Sequence, residues 1–162
     1  MFLTRKIEIV VVSFVVLLVG FLWYNTYNPI SLPIAREGKM TIEIEKIRTR
    51  DYTKQLCVQY ALVATRSGNY PCYNGETTFI FLNMGEIWKY GKTCNGEEGR
   101  YPNGLPVNGL RFVPQFFGTE EQCLIVEKQK IYNYFLLPEN IERAKKNGTQ
   151  ILIRPPGNKI DR

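Results

Sequence analysis

The chain has 162 residues, enough for one modest domain with appendages, and its 21 lysines and arginines against 15 aspartates and glutamates leave a formal charge of +6. Much of the excess lies from Lys128 onward, which suits an anionic partner, either nucleic acid or phospholipid, although a charge of this size also serves ordinary solubility. There is no histidine, which excludes Ser–His and Cys–His nucleophile systems, histidine-based metal sites and histidine-dependent nucleases, so any hydrolysis must use tyrosine, lysine, arginine or carboxylate chemistry.

The first element in chain order is an uncharged stretch, residues 9–24 (IVVVSFVVLLVGFLWY). As a helix it spans about 24 Å, slightly short of a bilayer core, and Ile7, Trp23, Tyr24 and Tyr27 extend it into the interfaces. Arg5 and Lys6 precede it, and the next positive charges are Arg36 and Lys39. This pattern predicts an inside amino end and an exported remainder: a single-pass protein of the inner membrane with its carboxyl-terminal domain outside the cytoplasm. A cleaved signal peptide is the rival reading, but Trp23-Tyr24-Asn25 is a poor cleavage site. The expected organisation is an anchor over residues 1–27, a linker over 28–39 with two prolines, and a domain over 40–162.

Within that domain the alternation of Ile42, Glu43, Ile44 and Glu45 predicts a strand over 41–47, and LCVQYALVA a second over 56–64. Residues 67–75 read as turns. A hairpin is expected next, with TTFIFL and EIWKYG as its strands and Asn83-Met84-Gly85 as its turn. Residues 94–109, rich in glycine, read as loop. A helix is predicted over 119–135, capped by Thr119 with Gln122 at capping-box spacing. A second helix is expected over 138–147, with Pro138 at its start and Gly148 just past its end, and a last strand over 149–153. Strands, then helices, then a strand predict an α+β fold.

Cys57, Cys72, Cys94 and Cys123 all follow the apolar stretch. In an exported domain four cysteines allow two disulfides in three connectivities; four unpaired thiols are the other reading. Without a C-x-x-C pair, zinc has little support. Cys123 falls on the apolar face of the 119–135 helix with Leu124, Ile131, Tyr134 and Phe135. Glu127 lies in the middle of that same face. A buried carboxylate is costly unless it is paired or holds a cation, so this position predicts either a metal ligand or a salt-bridge anchor.

The segment TTFIFLNMGEIWKYGKTCNGEEGRY runs from the expected hairpin, through Tyr90-Gly91-Lys92-Thr93, to Arg100. A helical Glu127 follows, and then an asparagine in the closing PPGNK. This order resembles the GIY-YIG nuclease superfamily, in particular its divergent members with a K-x-G-K-T type second strand, and the ending is similar to related domains of bacterial polymorphic toxins. The resemblance covers about residues 60–159. It implies a small antiparallel sheet flanked by helices, and hydrolysis of a phosphodiester with one divalent metal, usually magnesium. Tyr90 and Gly91 match the end of the second motif strand, Arg100 the catalytic arginine, Glu127 the metal-binding glutamate and Asn158 the late asparagine. Two positions depart from the pattern. Phe81 stands where the first motif's tyrosine is expected, with Tyr70 or Tyr73 as replacements, and Lys89 stands where a tyrosine would begin the second triplet.

Elementary chemistry gives these residues roles of their own. Arg100 can grip a phosphate in bidentate fashion, and Glu127 can place a magnesium ion beside it. A tyrosine near both could activate water, and Lys89, Lys92 and Lys159 can neutralise phosphate. Each has a bland alternative: a Glu127–Arg100 pair, an Arg100 pair with Glu97 or Glu98, Tyr90 in the core, Asn158 closing a turn. Three functions follow as expectations. One is a membrane-tethered endonuclease for DNA or RNA. Another is a non-catalytic module on the same scaffold that binds nucleic acid, anionic lipid or a partner protein. The last is a disulfide-stapled envelope protein.

Overall fold

An apolar run with no polar face must be covered on both sides, and LCVQYALVA is. It forms strand β1, Leu56–Ala64, and every residue after Leu56 is buried. The computed structural model describes residues 31–50, 55–75 and 77–161, so the apolar stretch 9–24 lies outside the described residues. The chain divides into two units, residues 1–38 and 39–162. Among the described residues no helix is long and apolar enough to cross a membrane.

The described elements are helix α1 (Ser31–Arg48), β1, β2 (Gly68–Pro71), β3 (Phe79–Leu82), β4 (Ile87–Thr93), the short α2 (Gly96–Arg100), β5 (Leu110–Thr119), α3 (Glu120–Asn133), a 3-10 turn (Tyr134–Leu136) and α4 (Pro138–Asn147). The second unit is α+β, a small antiparallel sheet with flanking helices. Its sheet has the order β4-β1-β5, with β1 in the centre, and β2 and β3 form a separate antiparallel pair. Tyr60 is opposite Gly91 and Ala61 opposite Tyr90. Successive residues of a strand face opposite ways. Tyr60, Leu62 and Ala64 therefore pack on one face with Tyr70, Leu82 and Trp88. Ala61 and Val63 pack on the other with Tyr90, Ile131 and Tyr134, beneath α3.

The helices at the carboxyl end follow their signals. Thr119 caps α3, and both hydrogen bonds of the capping box with Gln122 are made. Pro138 opens α4, and Gly148 closes it in the left-handed conformation at φ +61°. Elsewhere the structure differs from the expectations. Residues 31–48 form a helix that runs through most of the segment 28–39 expected as a linker and replaces the strand expected over 41–47. From Lys39 onward its less exposed positions are Met40, Glu43, Ile44 and Ile47, at i, i+3, i+4 and i+7, and this helical period prevails over four alternating residues. Ion pairs Lys46–Glu43 and Arg48–Glu45 add i,i+3 support.

The expected hairpin is not a hairpin. Its turn forms, with the Glu86 N–H donating to Asn83 O, but β3 pairs with β2 while β4 pairs with β1. The longer β1, buried from Cys57 onward, offers β4 more burial than four-residue β3. Strand β5 forms although it contains Pro114; it lies on the sheet's edge, where a missing N–H is tolerated. Residues 149–153 are not a strand. The PPGNK run is irregular, as its prolines require, yet residues 155–158 are buried. Gly157 is the residue that permits this, because a Cβ there would lie 2.6 Å from the Trp88 ring.

Candidate functional site

Strand β4 carries the predicted residues along the free edge of the sheet. Gly91 has no side chain, and the Tyr60 ring from β1 occupies that space: a Cβ at Gly91 would lie 2.4 Å from the Tyr60 hydroxyl. Tyr60 Oη is 2.7 Å from Tyr101 Oη and stacks on Phe112. Burial, and then the Tyr101 hydroxyl, raise the Tyr60 pKa, so its proton stays in place at neutral pH. Arg100, at the end of α2, lies beside both hydroxyls. Its interaction with Tyr60 raises its own pKa against the opposing effect of burial. Its guanidinium carbon is also 5.9 Å from the Tyr101 ring centre. The disulfide Cys57–Cys94 joins β1 to the turn that leads into α2.

Glu127 enters from α3. It is 8% exposed, and it has no hydrogen bond or ion pair with any described residue. Burial pushes its carboxyl up to about 7, opposed by the positive charges of Lys128, Lys89, Lys92 and Arg100. Glu127 and Arg100 are thus within electrostatic reach of each other without forming an ion pair, and the salt-bridge reading of this glutamate does not hold. Nor does Arg100 pair with Glu97 or Glu98. Lys89 connects the group: burial lowers its pKa first, Arg100 and Lys159 lower it further, and Glu127 raises it. Lys92 is bonded to Glu120 and lies 3.5 Å from Cys94 Sγ. Lys128 donates to the Asp161 carbonyl and lies 3.8 Å from Glu43.

Other predicted residues do different work. Tyr90 projects to the face opposite Tyr60, packs against Ile131 and Tyr134, and has Lys130 Nζ 5.7 Å from its ring centre. Its pKa is raised by burial. Asn158 spends its amide on Tyr90's backbone, accepting from N–H at 3.0 Å and donating to C=O at 3.0 Å. It therefore imitates a strand partner on the open edge of β4 and ties the carboxyl-terminal run to it. Tyr73 stacks edge-on against Trp88, and Lys159 Nζ lies 5.2 Å from the Tyr73 ring centre. Phe81 is half exposed on β3, and Tyr70 donates its hydroxyl to Gly109 O. The tyrosine that meets Arg100 is Tyr60, which the sequence reading missed. The available signal was a hydroxyl inside an otherwise apolar strand, which must find a partner when buried.

Among the described residues no three acidic, cysteine or histidine side chains converge. A hard cation would have Glu127 as its protein ligand and fill its other positions with water and phosphate oxygens, as magnesium commonly does. A buried carboxylate without an ion pair among the described residues fits that use. Of the four cations that act on this carboxylate, Lys92 is paired with Glu120 and Lys128 lies near Glu43, which leaves Arg100 and Lys89 as the charges that an anion would meet. A cavity of about 540 Å³ between β3 and residues 149–153 includes none of these side chains. Comparison of the chain with family models, with curated proteins and with solved structures finds no match.

Proposed function

We propose that the protein hydrolyses phosphodiester bonds in DNA or RNA with the help of one divalent cation, as a divergent GIY-YIG-like domain tethered by its amino-terminal apolar stretch. The observation that carries this reading is the Glu127 carboxyl, without an ion pair among the described residues, within the field of Arg100 and Lys89. Arg100 grips the phosphate, and its bidentate fork stabilises charge on the phosphoryl oxygens. Tyr60, held neutral and closed off by burial, fixes the partly buried Tyr101 hydroxyl beside Arg100. Lys89 offsets charge that develops in the transition state. Magnesium, when bound at Glu127, supplies Lewis acidity toward the phosphate oxygens and orients water. Lys92 acts on Glu127 and Lys159 on Lys89, Lys159 also lies over the Tyr73 ring, and Asn158 holds the backbone of Tyr90 on β4. The Cys57–Cys94 disulfide suits an exported domain.

The test is nicking of supercoiled plasmid by the full-length chain with magnesium. Glu127→Ala and Arg100→Ala should each lower the rate by about a hundredfold or more, in line with loss of one preorganised electrostatic group. Cleavage that survives both substitutions sinks the proposal. A non-catalytic anion-binding module is the second reading, favoured by Arg100 and Lys89, which lie within electrostatic reach of each other. It is indicated if no nicking occurs while DNA is retained in a salt-sensitive way that Arg100→Ala weakens.

A further inference from the structure

A phosphate-gripping arginine does not distinguish single strands from duplexes, but the surface next to it offers something further. Pro155–Lys159 returns along the edge of β4. The Tyr73 N–H donates to Pro156 O at 2.8 Å, the Gly157 N–H donates to Trp88 O at 2.7 Å, and Asn158 holds Tyr90 on both sides. These bonds place Lys159 and the Tyr73 ring beside the residues that flank Lys89. Lys159 Nζ is 5.2 Å from the Tyr73 ring centre, and the ring rests edge-on against buried Trp88 at 5.8 Å and 72°. Tyr73 itself is 47% exposed. A large aromatic ring, braced by a buried indole and left half open, costs little to order further on binding. Lys89 is within electrostatic reach of both Arg100 and Lys159, so positive charge continues from the phosphate grip to this ring.

We propose that Tyr73 is a stacking platform for an unpaired base next to the phosphate held by Arg100, with Lys159 on the neighbouring phosphate. The substrate of the site is then a single-stranded segment of nucleic acid. This rests on the phosphate reading above and names its substrate class. A base has a π face whatever its identity, so the platform selects unpaired over paired nucleotides without reading sequence. A duplex keeps both faces of each base covered and forfeits the contact. Tyr73 thereby discriminates between substrates and takes no part in the bond-breaking step.

The experiment measures fluorescence anisotropy of the full-length chain without divalent metal. Its probes are a labelled dT 12-mer, the ribose equivalent, a duplex of the same length and an abasic 12-mer of sugar and phosphate alone. The wild type should bind the dT 12-mer about tenfold more tightly than the abasic strand, the scale set by one base–aromatic stack. Tyr73→Phe should keep that ratio. Tyr73→Leu, which keeps bulk without a π face, should bring it close to one and leave abasic binding within about twofold. Lys159→Ala should weaken every strand alike. Overturning results are a ratio near one in the wild type, tighter binding of the duplex, or an unchanged ratio in Tyr73→Leu. If abasic binding persists in the wild type and Arg100→Ala removes it, the phosphate reading survives the loss of the stacking proposal. If no probe binds, or Arg100→Ala has no effect, both fall. The ribose arm separates RNA from DNA as the better strand.

Discussion

Glu127 is an acid that its own helix weakens. Its carboxyl ionises near 4.5 in an unfolded chain and at about 7 once buried, because desolvation outweighs the four nearby cations. Between those values the folded protein retains a proton that the unfolded chain has released. Stability conferred by this group is therefore complete below about 4.5 and declines as pH rises toward 7. The penalty at pH 8 is on the order of 3 kcal/mol. Glu127→Gln should flatten the pH dependence of the urea midpoint between pH 5 and 8 and raise stability at pH 8 by on the order of 2 kcal/mol, even as it abolishes cleavage. Parallel profiles for the two proteins would show that this carboxyl is not held in the protonated form. The position was legible in the sequence, because a glutamate among Cys123, Leu124 and Ile131 stands out at helical spacing. Tyr60 was not legible. Its significance depends on Gly91, far along the chain, lying directly across from it.

At the scale of elements, β4 is an edge strand that has been closed. Asn158 satisfies the outward N–H and C=O of Tyr90, so the edge that carries the site is not left as a template for a further strand. On the other side Gly91 gives its space to the Tyr60 ring. Gly91→Ala should displace that ring and cost about 1–3 kcal/mol, as overpacking does. It should also weaken Arg100-dependent oligonucleotide binding, since Arg100 rests on Tyr60 and Tyr101. Unchanged melting and unchanged binding in this variant would show that the Tyr60 cluster does not hold Arg100. Helix ends were legible here because caps act through neighbours in sequence: Thr119 with Gln122, Pro138 and Gly148. Strand partners were not. The local pattern around Asn83-Met84-Gly85 is a proper turn, but it says nothing of which strand β4 will choose.

For the whole molecule, the decisive covalent feature is the single disulfide, with Cys72 and Cys123 as buried thiols. Four cysteines allowed two bridges, and only one pair is brought together: Cys57 lies near the start of β1, next to Val58, and Cys94 follows Thr93, whose partner on β1 is Val58. Alkylation under denaturing conditions should modify two cysteines without reductant and four with it, counted by mass. Paired substitution Cys57→Ser with Cys94→Ser should cost about 3–4 kcal/mol, the scale for a loop of this length, and loosen the entry to the Arg100 helix. Four reactive thiols in protein taken directly from cells would place the domain in a reducing compartment and remove the support the bridge gives to export. The positive charge works at this scale too. Arg100, Lys89 and Lys159 come from distant parts of the chain, and only the fold brings them within electrostatic reach of one another.

Sequence alone determined what depends on near neighbours and on composition: the α+β class, the helix boundaries at the carboxyl end, the burial of β1, the exclusion of histidine chemistry and the anomalous glutamate. Tertiary structure decided what depends on pairing across the chain. It took β4 from the expected hairpin to β1, recruited Pro114's segment as a third strand, chose Cys94 for Cys57 and chose Tyr60 for Arg100. The physical reason is that backbone propensities and caps are settled within a turn or two. Strand order is a competition for burial among distant segments, and β1, which must be covered on both faces, wins its partners by area rather than by proximity.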